Sequence, residues 1–472
     1  MADDNAAPAF ADCSVGAQPS QVYMFYLNRV FQLGYTRWDA LASPTSGDLS
    51  EWMIFAFPNS ASKMPPATGA EPARELRSWF GDAGILVARP AGDPAAKLAV
   101  ALKGGHNGEL HNHNDVGSYT VFLNGRTPLL DPGGEVYTAR TFSSHRYDSK
   151  LLNSFGHPVP VVAGQLQRTG SEAKAEILST DFTPEQDTVR MNLKACYEVP
   201  QLKTLERTFV FSRQSQGSLT VTDHVEFTAP QTFETALIAY SDWRRLPDGK
   251  LVVWNVDQAV WVQVKAEGGE IEVVPEQINE DAAMHPMRLG LRLKTPVMAA
   301  TITMTIGPMR HELVDGQLLT EGGFEMGSFG WDLPQSGLGS ISTEQAASGQ
   351  ASLKITDPDQ TEGSNVTSAA IPVQPGQDSY VLSGKVFHVS GSGIGMYMKL
   401  YDAAGKSLNK SDDRGNIAPV GSLAGAAGQW VDFKFPFRVE PGTATMRLWI
   451  HSYNSAVVEA YLDDLRVEVA AP

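Results

Sequence analysis

The chain has 472 residues, which at roughly 150 residues per domain predicts about three domains and excludes a single small module. Hydrophobic residues at 42% and charged residues at 19%, with 43 Gly and 29 Pro, exclude disorder and collagen-like repeats and favour turn-rich β structure. With Lys+Arg 37 against Asp+Glu 53, the net charge of −16 argues against nucleic acid or an anionic membrane as the main partner.

Cys13 and Cys196 are too few for a disulfide framework and read as buried thiols. No apolar run approaches the roughly 18 residues needed to cross a bilayer, and the opening MADDNAAPAF lacks the basic and apolar regions of a signal peptide.

In chain order, residues 1–80 hold the only convincing helical text. In QVYMFYLNRVFQLG, Tyr23, Tyr26, Leu27, Val30 and Phe31 recur at three- and four-residue spacing, which predicts an amphipathic helix. Further helices are expected over residues 49–57 and 71–80. Residues 81–310 read as strands throughout: KLAVALKGG, GSYTVFLNG, TFVFSRQ, SLTVTDHVEF, KLVVWNV, AVWVQVKA and AATITMTIG alternate or run apolar between turn residues, as in a large antiparallel β-sandwich. After the Gly-rich EGGFEMGSFGW, residues 318–472 again give short strands, among them ASLKIT, SYVLSGKVF, TMRLWIHSY and YLDDLRVEV. A second, jelly-roll sandwich fits them. The expected class is therefore mainly β, two sandwiches preceded by a short helical segment.

The chemistry is concentrated. Five of the ten histidines, His106, His111, His113, His145 and His157, fall within one short stretch. In HNHND, His111 and His113 are two apart, so in a strand both would point to one face. LLDPGG sets Asp131 at a strand end, and NSFGHP supplies His157. Two histidines and a carboxylate suit zinc, leaving one of the paired histidines for substrate. The alternative is a set of polar loop residues bonded to nearby backbone. Asn112, Asn114 and Asp115 read as turn and supporting groups.

The run from GGHNGELHNHND through LLDPGGEVYTAR and SHRYDS to NSFGHPVPVVAGQLQ resembles the central β-domain of the heparinase II/III superfamily of polysaccharide lyases. Alginate, oligoalginate and glycosaminoglycan lyases belong to that superfamily. The resemblance extends more weakly over residues 8–310. It implies an (α/α) toroid packed on the sandwich, zinc held by His113, Asp131 and His157, and His111 facing the substrate. It also implies a tyrosine acid or base, with Tyr147 the first choice and Tyr137 the second. The reaction implied is β-elimination on a uronic-acid polysaccharide of alginate or glycosaminoglycan type, in a secreted or periplasmic setting. Arg140 and Arg146, with Arg126, Lys150 and Asn112, are the candidates for binding the acidic substrate. APAFADCSVGAQPS is similar to the end of such a toroid, and only residues 1–80 precede the sandwich. The expectation is thus a fragment, a chain that needs a toroid partner or a homo-oligomer, or one that binds without cleaving. Tyr23, Tyr26, Tyr35, Arg37 and Trp38 are candidates to line what remains of the cleft.

GGFEMGSFGW, SGQASLKI and YLDDLRVEV resemble the jelly-roll carbohydrate-binding modules attached to glycan-degrading enzymes. That resemblance implies a structural calcium on Glu325 and Asp464, and sugar-stacking aromatics among Trp331, Tyr397, Trp430, Trp449 and Tyr453. NVT at Asn365 matches a glycosylation acceptor. Two rivals to a lyase follow: a noncatalytic glycan-binding protein with a structural zinc, and a zinc hydrolase.

Overall fold

The computed structural model describes residues 7–17, 21–34, 75–91, 98–240, 242–309, 316–333, 337–358, 360, 363–410, 419–423, 425–453 and 456–470. The fold is mainly β, with antiparallel strand pairing. Two compact units divide it: Met1–Tyr240 with Val262–Pro308, and Ser241–Trp261 with Met309–Pro472.

In the first unit one sheet runs Arg77–Phe80, Ile85–Ala88, Leu98–Lys103, Tyr119–Leu123, Arg126–Leu129, Phe233–Ala239, Met287–Leu293 and Ile271–Gln277. A second carries, in order, Val297–Met309, Ser218–Gln231, Leu202–Ser212, Gln186–Asn192 and Glu176–Phe182, and His106–Asn107 pairs with Gly170–Lys174 in a two-stranded sheet. Ser218–Gln231 shows why these residues make strands. Leu219, Val221, Asp223, Val225 and Phe227 are buried on one face, while the alternate residues Thr220, Thr222, His224 and Glu226 are half exposed, the period-two pattern of a sheet with one wet side. Leu98–Lys103 and Phe233–Ala239 are buried along their whole length, so they read as continuous runs without alternation.

The expected helix is present as Gln21–Val30, with Phe25 fully buried. The expected helix at 49–57 and the residues Tyr35, Arg37 and Trp38 lie outside the described residues, as does the side chain of Tyr23. The helix expected over 71–80 is corrected where it is described: Arg77–Phe80 is an edge strand in register with Ile85–Ala88, Phe80 opposite Ile85. Four residues, Gly81 to Gly84, close that hairpin, and Gly84 at φ +63° supplies the left-handed backbone. Pairing outweighs the helix propensity of so short a run.

The second unit holds the hairpin Trp243–Arg245 and Leu251–Asn255, then a sandwich. A six-stranded sheet runs Trp331–Asp332, Val366–Ser368, Thr445–Ser452, Ile394–Tyr401 and Gly421–Leu423, with Ile371–Pro372 also on Thr445–Ser452. A five-stranded sheet runs Gly339–Ser342, Ser352–Asp357, Val458–Val469, Ser379–Gly391 and Trp430–Arg438. Leu353, Ile355, Leu382, Met396, Leu448, Ile450 and Leu462 belong to the buried cluster formed by the two sheets. Each such side chain contributes about 1.5–3 kcal/mol on leaving water. Trp331 is part of this core and Trp430 packs on Phe387.

Candidate functional site

The site grows from three turns of the first unit. Residues 108–118 contain no strand, which corrects the expectation that His111 and His113 share one strand face. His111 adopts a left-handed backbone, φ +56°, a region His enters more readily than most residues. The two imidazoles consequently diverge. His113 is fully buried, whereas the His111 side chain is 67% exposed.

The turn is pinned from beneath. Lys103 Nζ donates to Asp115 Oδ1 at 2.5 Å with both side chains buried, and this contact outweighs burial to raise the Lys103 pKa. Gln167 donates through Nε2 to the Val116 carbonyl at 2.7 Å and accepts from the Val116 amide at 3.2 Å. Arg207, wholly buried, makes two 2.6 Å bonds to Asp223 and donates to the carbonyls of Gly117 and Pro158. One guanidinium thus ties the turn after His113 to the residue after His157.

The DPGG turn brings in Asp131 and a residue that sequence reasoning did not single out. Gly133 has φ +71°, and a Cβ there would lie 2.1 Å from the carbonyl oxygen of Cys13. Only glycine lets the 9–14 segment lie this close, and that approach delivers Asp12. Its carboxylate accepts from Tyr137 Oη at 2.5 Å and Arg146 Nη2 at 2.8 Å. His113 Nε2 lies 2.9 Å and His111 Nδ1 3.0 Å from it. Burial would raise the Asp12 pKa, but the hydrogen bonds of His113, Tyr137 and His111 hold it well below the carboxylate range. The available signal was an acidic residue within ADC beside a family-like tail, too short to give a role.

His113, Asp131 and His157 meet as expected. All three are buried and each offers a ligand atom within 4.8 Å of the others. His157 Nδ1 lies 2.9 Å from Asp131 Oδ2, which also accepts from Ser118 Oγ at 2.6 Å. Burial opposes charge on both members of that pair, yet their contact keeps the Asp131 pKa low and the His157 pKa high. His113 Nδ1 and His157 Nε2 have no hydrogen-bond partner among the described residues. Two orphaned buried imidazole nitrogens beside a carboxylate are the donor set of a transition-metal site, and this group can hold a metal.

The remaining expected residues divide. Tyr137 Oη lies 3.1 Å from His111 Nδ1, and its bond to Asp12, with lesser help from burial, raises its pKa. Tyr147 packs on Leu151, Leu152 and Ile278, with its hydroxyl 3.4 Å from the Asn112 carbonyl. Arg146 serves Asp12 and the Asn112 carbonyl, while Arg140 pairs with Glu135 and Glu280. Lys150 pairs with Glu276. The positive field expected from these residues is therefore largely neutralised internally. Asn112 is buried with both amide atoms unpartnered, and its carbonyl does the work. Cys196 is buried, which pushes its thiol up to about 12; Cys13 is half-buried, and both are free.

In the second unit, Glu325 Oε1 accepts from the amides of Gln350 and Ala351 at 2.8 and 2.9 Å. Asp464 accepts from Ser348 Oγ at 2.5 Å and pairs with Lys385 at 3.0 Å. Both carboxylates thus brace the 347–351 loop, and among the described residues the His–Asp–His group is the one metal-competent cluster of three such side chains.

No curated protein matches the chain. Among solved structures, a heparinase III, the BT4657 gene product, is similar at 13% identity and TM-score 0.48 over 77% of this chain and 48% of its own. The heparan sulfate lyase HepC from Pedobacter heparinus is similar at 14% identity and TM-score 0.46, over 78% and 48%. This chain spans about half the length of either. The CBM22-1 xylan-binding domain of Paenibacillus barcinonensis Xyn10C is similar at 19% identity and TM-score 0.26, over 34% of this chain and 100% of that domain. Residues 316–456 match the family described as Carbohydrate binding domain.

Proposed function

We propose that the chain is a polysaccharide lyase that cleaves an acidic, uronate-bearing polysaccharide by β-elimination. The observation that carries this reading is the Asp12 carboxylate, which binds His111, Tyr137 and His113 together. It sets two exposed proton-transfer groups side by side next to a buried metal-competent cluster.

Elimination needs a base for the C5 proton, a proton for the departing O4 and relief of the negative charge on the adjacent carboxylate. With His111 Nδ1–H directed at Asp12, the opposite nitrogen carries the lone pair on the exposed edge and takes the C5 proton. Tyr137, whose bond to Asp12 keeps its hydroxyl protonated, gives its proton to O4. Arg146, bonded to the same carboxylate and 15% exposed, would present only its remaining exposed edge to the substrate carboxylate.

His113, Asp131 and His157 would hold zinc, whose contribution is to cross-link three turns. A calcium on Glu325 and Asp464 would do the same for the 347–351 loop. The match of residues 316–456 to a carbohydrate-binding family favours a second reading, in which the chain binds glycan without cleaving it.

Incubation with alginate, heparan sulfate, hyaluronan and chondroitin, followed by the ultraviolet absorbance of unsaturated uronate, separates the two. The lyase reading expects absorbance with at least one polymer, and a loss of about 10²–10⁴-fold in His111→Ala and Tyr137→Phe. It expects a smaller loss in Tyr147→Phe. No absorbance with any of the four, alongside retained binding, rejects it.

A further inference from the structure

We infer that the outer face of the six-stranded sheet in the second unit is a binding site for an anionic sugar chain, organised by Lys399 and Arg447. The alternation of Thr445–Ser452 puts Thr445, Arg447, Trp449 and His451 on the half-exposed face. The cross-strand partners of the first three are Tyr401, Lys399 and Tyr397. On the other side Thr367 pairs with Trp449, and Asp332 with Thr367. A groove of about 580 Å³ lies over these strands, with Asp332, Asn365, Lys399, Tyr401 and Arg447 in its walls.

Two features point to the ligand. Lys399 and Arg447 stand directly opposite each other, an arrangement of like charges that destabilises a sheet. Neither forms an ion pair among the described residues. Among the described residues Asp332 is the carboxylate whose charge acts on Lys399, and burial followed by Arg447 pushes the lysine below its ordinary range. In a chain of net charge −16, acid partners are plentiful, so two adjacent unpaired cations are a costly arrangement. An anion between them removes the cost.

The second feature is aromatic. Trp449 is fixed by its Nε1 bond to Asn365 Oδ1 at 2.5 Å. It lies beside Tyr397 at 4.9 Å and stacks on His451 at 4.7 Å. Lys399 Nζ sits 4.4 Å from the ring centre, so the indole holds the ammonium in place at the wall of the groove. The aromatic side chain in the groove wall is Tyr401, half-exposed and two residues from Lys399. An aromatic ring next to two cations is the chemistry that recognises a sugar ring bearing carboxylate or sulfate, whereas a neutral xylan or glucan has no use for the cations. The inference concerns binding in the second unit and stands whether or not the first unit cleaves.

The test uses the full chain in affinity electrophoresis against polygalacturonate, heparin and neutral xylan, with wild type and the double variant Lys399→Gln/Arg447→Gln. Expected are retardation by at least one anionic polymer and little by xylan. The double variant should weaken anionic binding by about tenfold or more and lower its salt dependence. Its melting temperature should equal or exceed that of wild type, because a like-charge pair is gone. Whether polygalacturonate or heparin is preferred separates carboxylate from sulfate. Xylan binding equal to or tighter than anionic binding, or anionic binding unchanged in the double variant, overturns the inference. Wild-type protein that is retarded by an anionic polymer but yields no unsaturated uronate from it would count against the lyase reading alone.

Discussion

The interiors of the two units are built from different materials. In the first, Arg207–Asp223, Lys103–Asp115, Arg213–Asp187 and Arg288–Glu234 are ion pairs whose side chains are 8% exposed or less. In the second, the pairs Lys354–Glu344, Lys385–Asp464, Lys410–Glu440 and Arg466–Glu468 all lie at half-buried or exposed side chains. Its interior is the apolar cluster between two sheets. A buried ion pair is weak evidence for stability, since removing two charges from water costs about what their attraction returns. What such pairs supply in the first unit is position. Arg207 holds the carbonyls of Gly117 and Pro158, and these flank the turns that present His113 and His157. The buried polar side chains of the second unit, Asp357, His388 and Asp463 among them, form no ion pair among the described residues.

Breaking the comparison at its firmest point gives the largest expected effect. Arg207→Leu leaves the Asp223 carboxylate buried without its partner and should cost about 3–5 kcal/mol, read as a lower denaturation midpoint. It should also loosen the turns that carry His113 and His157. In the second unit the corresponding stroke is a cavity: Leu462→Ala should cost about 2–5 kcal/mol without altering metal content. If Arg207→Leu lost no more stability than an exposed-pair variant such as Lys410→Gln, buried polarity would have no special role in the first unit.

Next in size is the metal. A ligand held at 100-fold its dissociation constant stabilises by about 2.7 kcal/mol. A zinc-selective chelator should therefore lower the melting temperature of the wild type by several degrees. Asp131→Asn should melt lower from the outset, retain little zinc by elemental analysis and be indifferent to the chelator. Equal zinc content in the variant and the wild type would remove Asp131 from the ligand set.

These contrasts were unequally legible in the sequence. Strands with one wet face, such as Ser218–Gln231 and Ser379–Gly391, announce themselves by alternation. Phe233–Ala239 does not, because it is buried throughout and carries Glu234, whose charge is met only in the folded state by Arg288 and Arg292. The His–Asp–His group was readable because its three residues fall in one short, family-like stretch. The Asp12 carboxylate was not, since its role depends on the close approach of Cys13 to Gly133, a tertiary fact with no local signature. The same holds for the tyrosines. The resemblance ranks Tyr147 before Tyr137, and only folding puts Tyr137 beside His111 and Tyr147 against Leu151 and Ile278. The Lys399–Arg447 juxtaposition likewise exists only once the register pairs them.

The smallest effect tests whether the second unit is as free of interior polarity as its ion pairs suggest. His388 is 2% exposed, and both its ring nitrogens lack a hydrogen-bond partner. Burial lowers its pKa below the ordinary 6.5. Between that lowered value and 6.5 the unfolded chain binds more protons than the folded one, so stability rises with pH through the window. It is fully present above 6.5 and is lost as pH falls toward the folded value. His388→Leu keeps the buried volume and removes the titration. Its stability should match or slightly exceed that of the wild type above 6.5, and the gap should widen as pH falls. Chemical denaturation of both proteins from pH 4 to 8 measures the difference. A constant gap would mean that the imidazole finds a partner when protonated, and the second unit would then share the buried electrostatics of the first.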